Sequence, residues 1–192
     1  MIYRFLWVLK TLMYAPFLGG FGFPSYIANP IYLRRLNRIF IGKRVRILPH
    51  SRIEVTSKMA SIVFEDNISV GQNFHITAGG NLLIKKNTLI TENVMITDID
   101  HNYQDIDIPI LDQEYIIRKT EIGENCYIGF GVVIQAGTIL GKQCVVGANS
   151  VVRGSFPEYS VIVGAPGRIV KRYNIKSNKW ERTDKNGEFN VN

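Results

Sequence analysis

His50, His75 and His101 are the only histidines in the chain, and they stand 25 and 26 residues apart. His101 lies in the stretch ITDIDHNYQDIDIPILDQE, among Asp98, Asp100, Asp105, Asp107, Asp112 and Glu114. A neutral imidazole can take a proton from an attacking hydroxyl at neutral pH. Its second ring nitrogen then needs a partner that fixes the tautomer, a role open to Asp98, Asp100 or a backbone carbonyl. The plain alternative is a solvated histidine on a polar loop. Two cysteines, Cys126 and Cys144, are too few for a disulfide framework and incomplete as a zinc site.

The elements that must carry His101 come from a repeat. From Ile122 the chain reads IGENCY, IGFGVV, IQAGTI, LGKQCV, VGANSV and VRGSFP. An aliphatic residue opens each hexad, at 122, 128, 134, 140, 146 and 152. Glycine is second in four of the six, and the fifth position is mostly small or β-branched. A period of six fits neither a 3.6-residue helix nor simple strand alternation. It fits short strands separated by turns, with the aliphatic residue pointing inward and stacking on its equivalent one coil away. Three hexads make a triangular coil of about 18 residues. Glycine at position two is expected to supply backbone conformations closed to other residues. Cys126 and Cys144 fall at the inward fifth position and read as core.

The same period runs upstream in other phases: Ile41, Ile47 and Ile53; Val70 and Ile76; Ile84, Ile90 and Ile96. The phase shifts mark irregular corners around 57–69, at Ala78-Gly79-Gly80-Asn81, and at 100–121. About five coils are predicted from Ile41 to Phe156. Six consecutive matching hexads argue against a β-sandwich with accidental spacing. A long loop leaving a rigid coil is where a scaffold carries chemistry, which favours a functional His101.

The chain has 192 residues and a formal charge of +7, unevenly distributed. Residues 1–50 carry eight basic and no acidic side chains, 51–152 are net acidic, and 153–192 are basic again. An acidic middle is unlike a nucleic-acid-binding face, so no nucleic-acid partner is expected. The composition also excludes disorder and a multi-span membrane protein. Three parts are expected: an apolar, basic segment 1–40, a repeat domain 41–172 with loop 98–121, and a loose polar tail 173–192. The opening MIYRFLWVLKTLMYAPFLGG has no clear cleavage site, and its uncharged run is too short to span a bilayer. Its aromatic and cationic residues suit an anionic membrane surface. Packing on its own domain or on another subunit is the reading the sequence favours.

These hexads, the loop TDIDHNYQDIDIP and the closing VRGSFPEYSVIVGAPGRIVKR resemble the left-handed parallel β-helix, hexapeptide-repeat acyltransferases. The likeness covers about Ile41 to Lys171. It is nearest to the sugar O-acetyltransferases of O-antigen and capsule biosynthesis. It implies an all-β fold whose left-handed coiling departs from the usual crossover rule. It implies acetyl-CoA as co-substrate with no metal, a hydroxyl of a sugar in a surface polysaccharide or its precursor as acceptor, and a homotrimer. His101 matches the catalytic base. A backbone N–H at Phe130, from a neighbouring subunit, matches the oxyanion donor. Asn73, His75, Asp98, Tyr103 and Asp105 are candidates for the acceptor pocket, with Thr77 close to register. Ala148 matches the small residue beside the pantetheine arm. Arg168, Lys171 and, more weakly, Arg153 match cationic contacts to CoA phosphates. Use of acetyl-CoA implies the cytoplasm, with peripheral attachment to the inner face of the membrane if the first segment binds lipid.

Three rivals remain at this level. A three-histidine zinc hydratase on the same fold would need a close histidine pair, which the even spacing lacks. A non-catalytic solenoid would leave the His101 loop and basic closing segment without a role. An N-acetyltransferase for a nucleotide-linked amino sugar would differ only in its acceptor.

Overall fold

The structure, a computed structural model, describes residues 2–184 and 187–189. Its body is a parallel β-solenoid with three faces. The first face carries Ile39–Ile41, Ser61–Phe64, Asn81–Ile84, Glu121–Ile122 and Ile139–Leu140 in successive coils. The second carries Arg46–Ile47, Ser69–Val70, Leu89–Ile90, Tyr127–Ile128 and Val145–Val146. The third carries Arg52–Val55, His75–Ala78, Met95–Thr97, Val133–Ile134 and Val151–Val152.

The register follows the aliphatic positions. On the first face Ile41, Phe64, Ile84, Ile122, Leu140 and Phe156 pair in turn. On the third, Ile53, Ile76, Ile96, Ile134 and Val152 do the same. All of them are buried, as are the fifth-position residues Val45, Ile68, Phe74, Thr88, Val94, Cys126, Val132, Thr138, Cys144 and Ser150. The two inward positions of each hexad thus fill the prism. At the corners, fifth-position side chains also bond the next coil: Thr88 Oγ1 donates to the Gly123 carbonyl at 3.0 Å, and the Cys126 thiol to that of Gly141 at 3.2 Å. The neighbouring Cys144 thiol and burial push the Cys126 thiol up, so it stays protonated and inert.

Position two and position four divide the corner's work differently from the sequence expectation. The positive φ falls at position four, on Asn67, Asn73, Asn87, Asn93, Asn125, Gln143 and Asn149, with Gly131 and Gly137 in the same place. Asparagine tolerates that region better than most residues with a Cβ. Position-two glycines do another job. A Cβ on Gly71 would lie 2.5 Å from the Glu92 nitrogen, and one on Gly141 would lie 2.4 Å from the Glu158 nitrogen. They are there because the next coil passes too close for a side chain.

Both ends differ from the expected boundaries. The coils begin at Gly20–Phe21, not at Ile41. Phe21 pairs with Ile41, Ile27 with Ile47 and Leu33 with Ile53, so the six-residue spacing extends into the aromatic-rich segment. The helix Ile2–Tyr14 lies against the first strand of the second face, Tyr26–Ile27. At the other end Arg168–Asn174 turns back antiparallel on Ser160–Val163 and pairs in turn with Lys179–Arg182. The expected loose tail is therefore a hairpin, held in part by Trp180 packed on Tyr173. The rest of that expected tail, residues 185–186 and 190–192, lies outside the described residues. Phe156, a fifth-position residue by hexad counting, pairs with Leu140 at an aliphatic position, because the last coil is two residues shorter than its predecessor.

Candidate active site

The departures from strict repetition gather at one corner, where the third face turns into the first. Residues 56–60, Gly79-Gly80 and 98–119 lie there in successive coils. The last insertion opens with an antiparallel ladder, Ile99–His101 against Tyr115–Ile117, which puts His101 opposite Tyr115. Asp98 fixes its root. One carboxylate oxygen accepts the N–H of Gly79 at 2.7 Å and the other that of Gly80 at 2.9 Å, while the Asp98 carbonyl accepts from Arg118 N–H at 2.8 Å. Burial raises the Asp98 carboxyl, and the two backbone donors oppose that rise. The packing over these glycines is close as well: a Cβ on Gly79 would meet Ile117 Cδ1 at 2.3 Å, so the Ile117 side chain would have to shift to admit it.

The ladder leaves a recess on each side of His101. One, of about 280 Å³, lies over the third face between Glu54, His75, Thr77, Thr97 and Tyr115. The other, of about 170 Å³, lies between Asp100, Tyr103, Arg118 and Arg153. His101 lines both. Its ring stands edge-to-face on Tyr115, centroids 4.8 Å apart, which fixes the ring plane while leaving the side chain exposed.

The larger recess has a charged floor. Glu54 is held by Arg34 at 2.8 Å and Arg52 at 2.7 Å. Burial works against its ionisation, but the two guanidinium groups outweigh that and hold the carboxylate below its usual range. His75 Nε2 lies 3.1 Å from Thr77 Oγ1. Burial and the nearby Arg52 lower the His75 imidazole, so it is neutral at pH 7. In the smaller recess Asp100 takes Arg153 at 2.5 Å and Arg118 at 3.3 Å.

The residues singled out from sequence fall into groups. His75 joins His101 in the larger recess, and Tyr103 and Arg153 join it in the smaller. Asn73 does not reach either. It is a corner residue at φ 54°, its amide donating to Asn93 Oδ1 at 3.0 Å. Asp98 is the buried anchor described above. Asp105 lies further out on the loop, bonded to Asn102 at 3.1 Å. Neither Asp98 nor Asp100 bonds His101 among the described residues. Phe130 and Ala148 share the corner between the second and third faces one coil apart, where Asn149 N–H donates to the Phe130 carbonyl at 2.7 Å. Arg168 and Lys171 line one open groove of about 780 Å³ beside the closing hairpin. Arg153 lies apart from them. His50 has a positive φ at another corner, and no cluster of His, Cys, Asp and Glu able to hold a metal occurs among the described residues.

Sequence reasoning missed Glu54, Arg34, Arg52 and Tyr115. Register recovers the first three: Arg34 pairs with Glu54, Glu54 with Thr77, and Arg52 with His75, so these residues belong to neighbouring strands of one face. Tyr115 becomes visible only once the loop is known to fold back as a ladder.

Residues 119–154 match the bacterial transferase hexapeptide (six repeats) family. Over 163 residues the chain is 35% identical to the protein named as the lipopolysaccharide biosynthesis O-acetyl transferase WbbJ of Escherichia coli (strain K12), covering 81% of this chain and 83% of that one. The chain belongs to the hexapeptide-repeat acyltransferases. As such a transferase it also matches the protein named as the acetyltransferase Rv3034c of Mycobacterium tuberculosis (strain ATCC 25618 / H37Rv), at 31% identity over 91% of this chain but only 63% of that longer protein. The left-handed β-helix of this hexapeptide-repeat acyltransferase has a close structural counterpart. AntD, an N-acyltransferase from Bacillus cereus in complex with dTDP and 3-hydroxybutyryl-CoA, superposes with a TM-score of 0.71 over 88% of this chain and 90% of that one. At 17% identity that likeness concerns the fold.

Proposed function

We propose that this enzyme moves an acetyl group from acetyl-CoA to a hydroxyl of a sugar in a surface polysaccharide or its precursor, with His101 as general base. The observation that carries this reading is that His101 forms a wall of both recesses, so one imidazole faces two binding spaces. A sugar in the larger recess meets Glu54, which accepts hydrogen bonds from hydroxyls, and neutral His75. His101 takes the proton of the attacking hydroxyl as its oxygen adds to the thioester carbonyl, and returns it to the departing thiolate. The thioester is already activated, so no covalent intermediate on the protein is needed.

The oxyanion donor is the backbone N–H of Phe130. His101 and Phe130 stand at opposite edges of the third face, so a single chain separates base from donor. That separation supports a homotrimer in which a neighbouring copy's Phe130 corner meets the His101 loop. Arg168 and Lys171 hold the CoA phosphates and Ala148 lies beside the pantetheine arm. Dependence on acetyl-CoA makes this a cytoplasmic reaction.

The test is acetyl transfer from radiolabelled acetyl-CoA to hydroxyl sugars and to nucleotide-linked amino sugars, by wild type and His101→Ala. Label on hydroxyl acceptors that disappears in the variant supports the proposal. Label on amines alone identifies an N-acetyltransferase. No transfer, with no thermal shift by acetyl-CoA, identifies a non-catalytic solenoid.

A further inference from the structure

We propose that the helix Ile2–Tyr14 and the adjoining first coils form a docking surface for an anionic lipid bilayer. The helix is fastened by one side. Thr11 Oγ1 accepts the Ile27 N–H at 3.0 Å, Tyr14 OH donates to the Ile27 carbonyl at 2.5 Å, and Trp7 packs on Tyr26 with centroids 5.6 Å apart. Thr11, a polar residue, is the fully buried one among the helix side chains the structure describes. The outward side is apolar. Phe5, Leu9 and Leu12 follow a helical stripe, and all three are exposed, with Met13 at 78%. Phe17 and Phe23 extend the apolar surface beyond the helix, 66% and 64% exposed. A helix at a solenoid end is expected to show a polar outer face. This one is inverted, burying its threonine and presenting its large apolar side chains.

The charge around it identifies the occupant. Of the eight basic residues in 1–50, only Arg34 has a carboxylate within ion-pair distance among the described residues. Arg4, Arg44 and Arg46 edge a recess of about 220 Å³ beside Tyr26 and Val8. An apolar stripe rimmed by uncompensated cations matches a bilayer with acidic headgroups, into which the rings insert while the arginines meet phosphate. A second copy of the same surface would bring like charges together. The helix has 13 residues, about 20 Å long, so it lies in the interface plane. No helix among the described residues is long and apolar enough to cross a membrane. The helix rests on the second face and the His101 recesses lie at the third, so docking leaves them open. This inference does not depend on which acceptor is acetylated.

The experiment is co-sedimentation of the full chain with phosphatidylcholine vesicles, with and without phosphatidylglycerol, over a salt series. Wild type is expected on the anionic vesicles, weakly on the neutral ones, and less as salt rises. The exposed triple Phe5→Glu, Met13→Glu, Phe17→Glu and the pair Arg4→Glu, Arg44→Glu should each lower partitioning by on the order of tenfold or more, with unchanged melting temperatures. If the triple fails to fold, the arginine pair and the salt series carry the test. Absence of wild-type binding, equal binding to neutral vesicles, or binding indifferent to the variants overturns the proposal. So does an oligomer that the triple dissociates while vesicles are ignored, since that assigns the face to a second copy.

Discussion

Asp98 accepts the Gly80 N–H at 2.9 Å across the turn from one coil to the next, so the loop that carries His101 is fastened to the coil beneath it. Asp98 is 1% exposed, and its other oxygen takes the Gly79 N–H. Asp98→Ala leaves two backbone donors without their acceptor, at a cost of roughly 2–4 kcal/mol. Both the melting temperature and the turnover number are expected to fall, because the root of the His101 ladder loosens. An Asp98→Ala protein with normal melting and normal turnover would show that the loop is held by other contacts.

His101 behaves differently because it is exposed. His101→Ala should leave thermal unfolding unchanged while lowering turnover by about 10²–10⁴-fold, the usual contribution of a positioned general base. The pairing of the two variants is what separates positioning from chemistry: the aspartate change moves stability and rate together, the histidine change moves rate alone. Undiminished turnover in His101→Ala would remove the general base from the mechanism.

The corner chemistry gives a sharper stability test. Gly141→Ala forces a Cβ to 2.4 Å from the Glu158 backbone nitrogen, a clash that no rotamer relieves, and should destabilise by about 1–3 kcal/mol or more. Asn87→Ala acts through φ instead, since Asn87 sits at 61°, and should cost about 1–2 kcal/mol. Asn87→Gly should recover the conformational part of that loss, short of the amide bond Asn87 accepts from Asn67. Denaturant unfolding of the three variants checks the order. Equal losses for Asn87→Ala and Asn87→Gly would mean that φ is not what asparagine supplies.

That corner also marks how far the sequence could be read. The six-residue aliphatic spacing carried the solenoid, the inward cysteines and the irregular corners at 78–81 and 100–121, because burial at those positions is a direct consequence of stacking; the corner expected around 57–69 is confined to 56–60, since Ser61–Phe64 is a regular strand whose Phe64 takes the aliphatic position. The same spacing in Phe21, Ile27 and Leu33 carried the first coil, but the aromatic surroundings suggested a separate segment. Glycine at position two reads from sequence as a conformational residue because φ cannot be read without the coil geometry; the asparagines at position four hold that signal. The site was legible where it depended on the loop, as for His101 and Tyr103; Arg153, expected beside Arg168 and Lys171, instead lines the recess of His101, because the third face brings its coil under the loop. The site was not legible where it depended on lateral register. Glu54 and His75 are 21 residues apart in a chain whose coils vary in length, so only the strand pairing brings them to one recess. Asn73 illustrates the reverse: close in sequence to His75, it turns at a corner and faces a different neighbour.

The acid range tests the charged floor of the larger recess. Glu54 has its folded-state value below its unfolded one, so between the two the unfolded chain binds more protons. Its contribution to stability is therefore present above the ordinary glutamate value of about 4.3 and lost as the pH falls through the lower folded value. Glu121, lowered by its bonds to Lys85 and Lys119, acts in the same direction. Asp98, raised by burial, acts oppositely: its ionisation costs stability as the pH rises through its folded value. Melting temperatures between pH 7 and pH 3 should decline for wild type and decline less for Glu54→Gln, with Asp98→Asn steepening the fall. Parallel curves for wild type and Glu54→Gln would mean that the Arg34 and Arg52 pairs contribute nothing to acid sensitivity.

Arg153 and Arg168 separate the two ends of the proposed reaction. Arg153 is engaged by Asp100 at 2.5 Å in a recess shared with His101, whereas Arg168 and Lys171 line the groove of the closing hairpin. If the groove holds CoA phosphates, Arg168→Ala and Lys171→Ala should each raise the KM for acetyl-CoA by roughly tenfold, the loss of one charge-assisted bond, with kcat little changed. Arg153→Ala leaves Asp100 beside His101 with Arg118 as its remaining ion-pair partner, and its effect should fall on kcat, with Asp100→Asn on top of it giving less than its loss as a single variant because the residues belong to one ion-pair cluster. Steady-state kinetics on the single and double variants distinguish these. A rise in the acetyl-CoA KM for Arg153→Ala equal to that for Arg168→Ala would return Arg153 to the CoA site and leave Asp100 as its support rather than its partner in positioning the base.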